Sequence, residues 1–161
     1  MADSMVEIFN NFGTEILFLH IISSVIWVGG MIAVKFAVHP AMQLIATESV
    51  RISRSVNITK NLFAMVIPAI LILVVTGIVL IYGFGHKGEM LVHIKEGLWT
   101  VMLINFIVMY MRVSKADRLM RSKDNQLEEA KKEMKIVSSY MLPVNIILGI
   151  IAIYVGSSLH I

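Results

Sequence analysis

The stretch FLHIISSVIWVGGMIAVKFAVHP, from Phe18 to Pro40, decides the fold. It is nearly all apolar and long enough to cross a bilayer core, which takes about 20 helical residues. It nevertheless carries His20, Lys35 and His39, and ionisable side chains in such a helix are costly and tend to have a task.

Composition extends this reading to the whole chain. Its 161 residues are 57% hydrophobic with a mean hydropathy of +0.80. That is well above the apolar share of about 45–50% usual in soluble domains. Three more apolar segments are long enough to span: about Leu62 to Phe84, His93 to Met111, and Ile136 to Leu159. With no water to satisfy backbone groups in lipid, each is expected to be a helix. The expected fold is an all-α integral membrane four-helix bundle, a single domain over residues 1–161. Its helices cover about 15–38, 62–84, 93–122 and 126–159. The charged stretch at about 112–135 has no Pro or Gly and reads as a helical hairpin beyond the membrane.

Charge sets the expected orientation. Arg51, Arg54 and Lys60 follow the first span, and eight Lys and Arg residues between Arg112 and Lys135 follow the third. The positive-inside rule places both stretches in the cytoplasm and both termini on the outer, periplasmic side of a bacterial inner membrane. The acidic N-terminus lacks the basic region of a cleavable signal peptide. The basic residues read as topology signals, so no nucleic-acid partner is expected. With no cysteine, disulfides, thiolate zinc sites and iron–sulfur clusters are excluded.

The orientation sorts the histidines. His20, His86, His93 and His160 fall toward the outer face and His39 toward the cytoplasmic one. His20 and His39 lie roughly 28 Å apart along one helix, too far for one small site. His20 and His93 come from different helices at similar depth. His20 shares a face with Ser23, Ser24, Trp27 and Met31, and His93 shares one with Gly97, Thr100 and Ile104. Small residues one turn below each histidine leave room for a flat ring. Haem b fits two imidazoles in a bundle core, with His20 and His93 as iron ligands and Trp27 packing the pocket. Copper bound by His with Met90 or Met102 is an alternative, as are a proton relay and plain bonding to a neighbouring helix. Lys35 reads as a snorkelling anchor or a partner for an anion such as a propionate or a quinone. Lys95 reads as an interfacial anchor or a propionate partner. The stripe Asn145, Gly149, Ala152 and Gly156 favours close helix packing, and such stripes leave a homodimer open.

The order of motifs resembles a known family. LHIISSVIWVGG, with His20, Trp27 and Gly30, resembles the first helix shared by HemJ-type protoporphyrinogen oxidases and the CopD copper-resistance family. VHIKEGL, with His93 and Lys95, is similar to the His-x-Lys that opens the third HemJ helix. PAILILVVTG, with Pro68, Ala69 and Gly77, resembles the second, and YMLP the entry to the fourth. HemJ proteins carry an Arg and a Tyr-His late in the first helix. Here Lys35 and Val38-His39 stand there at shorter spacing, and WVGG is closer to CopD. The resemblance implies a small membrane protein that binds haem b, oxidises a porphyrin substrate and passes electrons to quinone or another respiratory-chain acceptor. The CopD side implies copper handling.

Overall fold

The computed structural model describes residues 2–85, 88, 90–122 and 126–158. Four helices run through them: α1 (Asp3–Gln43), α2 (Glu48–Gly83), α3 (Met90–Arg121) and α4 (Leu127–Ser158). All four are long and apolar enough to cross a membrane, and no strand occurs among the described residues. Short connections force neighbours to run antiparallel. α1 packs on α2, α2 on α3 and α3 on α4, and α4 closes back onto α1. The chain is an all-α, multi-pass membrane bundle. One end, here the terminal end, holds the start of α1, the end of α4 and the α2–α3 connection. The other is the basic end.

Two helices are longer than the sequence suggests. α2 starts at Glu48, where a basic loop is expected up to about residue 62. The reason is a buried stripe: Ile52, Val56 and Thr59 continue the spacing of Phe63, Val66 and Ile70. Arg51, Arg54 and Lys60 sit on the flanks, so the segment is an amphipathic helix. α1 likewise begins near the N-terminus and bends at Phe12, whose φ of −135° and ψ of 23° are not helical. Beyond that bend Phe9 lies over Gly83 and stacks edge-on against Phe84, with centroids 4.8 Å apart. α3 and α4 match the expected limits to within three residues.

Ion pairs tie the basic end together. Glu133 of α4 binds Arg112 at 2.7 Å and Lys115 at 2.6 Å, both on α3. Asp117 of α3 binds Lys60 of α2 at 2.6 Å. Glu48 of α2 binds Lys131 of α4 at 2.7 Å. Beneath them Ile52, Val56, Val113, Ala116, Ala130 and Met134 form an apolar core. Further toward the terminal end, Trp27, Phe63 and Phe106 join α1, α2 and α3. Phe106 lies edge-on to Phe63 at 4.9 Å and to Trp27 at 6.1 Å between centroids.

Three π turns interrupt the α ladder: Val25–Gly29, Val34–Val38 and Val137–Met141. The last two share one cause. The His39 N–H reaches back to Val34 O, just before Pro40. The Leu142 N–H reaches back to Val137 O, just before Pro143. Proline has no N–H to offer the next carbonyl. In α4 this leaves Ser138 O without a helical donor. Lys35 of α1 supplies one, its Nζ donating to that oxygen at 2.8 Å. The buried stripe of α4 records the inserted residue: it steps by five from Val137 to Leu142 and then resumes at Asn145, Ile146 and Gly149. Pro68, by contrast, sits on an outer face, and α2 continues helical through it.

The stripe at Asn145, Gly149 and Gly156 serves packing. A Cβ at Gly149 would stand 2.6 Å from Val28 Cγ2 and 3.2 Å from Met102 Cε. A Cβ at Gly97 would meet nothing within 4 Å. Gly149→Leu is therefore expected to destabilise the bundle by about 1–3 kcal/mol through overpacking. Gly97→Leu should leave stability unchanged or raise it. Thermal unfolding of both variants in detergent checks the contrast.

Candidate functional site

His20 faces α2. Its Nδ1 lies 2.8 Å from Thr76 Oγ1, and its Cε1 lies 3.4 Å from where a Cβ on Gly77 would stand. Thr76 is buried, and its hydroxyl donates to Ile72 O at 2.6 Å. A hydroxyl has one proton. With that proton on Ile72 O, Thr76 can only accept from the ring, so Nδ1 carries hydrogen. In the neutral imidazole Nε2 is then the lone-pair nitrogen. Ser24 does not reach the ring. It donates to the His20 backbone carbonyl at 2.9 Å.

The structure does not bring His93 to His20. The His93 side chain is 66% exposed on the outward face of α3, where Nδ1 pairs with Glu96 on the next turn at 3.2 Å. Gly97 and Thr100 share that outward face, and Thr100 donates to its own helix at Glu96 O. Helix periodicity had put His93, Gly97 and Thr100 on one face correctly, but that face looks out of the bundle. Lys95 turns toward α4 instead, its Nζ 2.7 Å from where a Cβ on Gly156 would be. Trp27 is 1% exposed in the aromatic core, and its Nε1 has no hydrogen-bond partner among the described residues. His86 and His160 lie outside the described residues.

Among the described residues no three His, Asp or Glu side chains gather within metal-binding reach. The methionines do not line one path either. Met31 and Met102 are buried, while Met65 and Met90 are exposed to the bundle's surroundings.

A second polar cluster lies at the basic end, between α1, α2 and α4. A recess of about 30 Å³ is lined by Lys35, His39, Ser55, Thr59 and Ser138, with Val34 and Leu142 among its apolar walls. The hydroxyls of Ser55 and Thr59 donate to Arg51 O and Ser55 O on their own helix. Lys35 donates to Ser138 O. Sequence reasoning singled out Lys35 and His39 but missed Thr76, Ser55, Thr59 and Ser138. A signal for two of them existed: Thr59 and Thr76 fall in the 3–4 spaced buried stripe of α2, where a polar residue stands out.

Comparison with protein-family models, with curated proteins and with solved structures finds no match to this chain.

The tautomer of His20 is directly measurable. Nitrogen-15 spectra of the imidazole are expected to show the Nδ1–H form at neutral pH. Thr76→Val should remove that preference and destabilise the protein by about 1–3 kcal/mol, because the ring donor loses its acceptor. Thr76→Ser should retain both.

Proposed function

We propose that the chain is a b-type haem-binding membrane redox protein with His20 as the iron ligand. One observation carries this reading. The Nδ1–H···Thr76 hydrogen bond commits Nε2 of His20 to the lone-pair form, and metal-ligating histidines almost always have their other ring nitrogen held in this way. Thr76 is itself fixed by its bond to Ile72 O, so the ring is oriented through two successive contacts with α2.

Of the two histidines, His20 alone would hold such a group. His93 points outward with Glu96, so a haem clamped between His20 and His93 of one chain does not suit this arrangement. Lys95 lies against α4 and Lys35 is at the basic end, so neither is set to hold a propionate beside His20. Bound haem would supply a one-electron couple. The porphyrin substrate and the quinone acceptor rest on the resemblance to HemJ proteins alone. The copper reading has no comparable support, because the methionines diverge.

An oxidised and a reduced visible spectrum test the proposal. The purified protein should show a b-type Soret and α band, and His20→Ala should lose both. Thr76→Val should weaken haem affinity about 10–100-fold, the usual loss when such a supporting hydrogen bond is removed. Full haem retention in His20→Ala would overturn the assignment.

A further inference from the structure

The recess at the basic end is built by a coincidence of two defects. The π turns Val34–Val38 and Val137–Met141 each precede a proline, and both border the recess. They widen α1 and α4 where these pass α2, and they leave Lys35 reaching across from one to the other.

The charge at this point is not balanced. The carboxylates nearby in sequence and fold are committed elsewhere: Glu48 to Lys131 and Arg51, Asp117 to Lys60 and Arg121, and Glu133 to Arg112 and Lys115. Among the described residues Lys35 has no carboxylate partner, and its one hydrogen bond is to Ser138 O. An ammonium has three protons, so two remain to donate. His39, one turn on, lines the same recess and has no hydrogen-bond partner among the described residues. Ser55 and Thr59 have given their protons to their own helix, so the donors of the recess are Lys35 and His39. Water could satisfy their hydrogen bonds but could not neutralise the cation. A half-exposed cation with spare donors and no carboxylate partner suits an anionic ligand.

The place and size of the recess narrow the choice. It lies where the apolar spans give way to the ion-paired helical extension, the level at which a bilayer presents its headgroups. Apolar walls at Val34 and Leu142 adjoin the polar donors. A volume of about 30 Å³ admits an oxygen-sized group rather than a whole molecule, so the bulk of the ligand must remain at the mouth. We propose that Lys35 and His39 form a seat for the phosphate of an anionic phospholipid, with a phosphate oxygen entering the recess and the acyl chains lying along the bundle.

The test uses the full chain purified in a neutral maltoside detergent. Thermal unfolding is followed as phosphatidylglycerol, phosphatidylcholine or inorganic phosphate is added, and native mass spectrometry counts retained lipid. Phosphatidylglycerol should raise the midpoint by several degrees, as a ligand that binds only the folded state does. Phosphatidylcholine and inorganic phosphate should not. His39→Gln leaves the Lys35–Ser138 bond intact and should weaken phosphatidylglycerol retention about tenfold. Lys35→Gln should abolish the shift, and Lys35→Arg should keep it. An equal shift with phosphatidylcholine, or an undiminished phosphatidylglycerol shift in both His39→Gln and Lys35→Gln, would overturn the site. An equal shift with inorganic phosphate would overturn the lipid as its source.

Discussion

A carbonyl that loses its helical donor must find another, because an acceptor left unmet within a protein costs about 1–3 kcal/mol. Ser138 O is such a carbonyl. Its α-helical donor, the Leu142 N–H, is drawn to Val137 O, and its π-helical donor would be Pro143, which has none. Lys35 resolves this by crossing from α1. A charged hydrogen bond of this kind contributes about 1.5–3 kcal/mol. The same contact fixes the rotation of α1 against α4. Val28 in the notch at Gly149 joins the same two helices, and Trp27 meets Phe106 of α3. Lys35 is thus less a snorkelling anchor than a brace between two broken ladders.

The extra residue in each π turn also reconciles two packing problems. At the basic end α4 presents Ala130, Glu133, Met134 and Val137 to α2 and α3. Past the turn it presents Leu142, Asn145, Ile146 and Gly149. A step of five between Val137 and Leu142 lets one helix keep both sets inward. The polar members are held on both sides of the turn: Glu133 by two cations, and Asn145 through its Oδ1, which accepts from Asn105 Nδ2 at 2.8 Å. Such interhelical amide contacts contribute modestly in lipid, about 0.6–2 kcal/mol. Their effect is chiefly on register.

The number of helices, their class and the limits of α3 and α4 were legible because long apolar runs and unbroken charged helix carry clear signals. The start of α2 was legible in principle, since Ile52, Val56 and Thr59 repeat at helical spacing, but the cluster of Arg and Lys beside them masked it. The orientation of α3 was not legible. A helix in lipid is apolar on its outward face as well as its inward one, so hydrophobicity does not tell which side meets its neighbours. His93, Gly97 and Thr100 were grouped correctly and turned the wrong way for that reason. His20 escaped the ambiguity because Thr76 is a polar residue within the buried stripe of α2 and offers a definite partner.

The two histidines also differ in depth, and this bears on what each can do. His93 lies three residues from the first residue of α3, roughly 4.5 Å along the axis. Its bond to Glu96 on the same helix, open to the surroundings, is a complete local arrangement that asks for nothing further. Thr76, the partner of His20, lies seven residues from the last residue of α2, roughly 10 Å below that end. There its hydroxyl meets Nδ1 of the His20 ring. His20 is thus oriented by a neighbouring helix, whereas His93 is paired within its own.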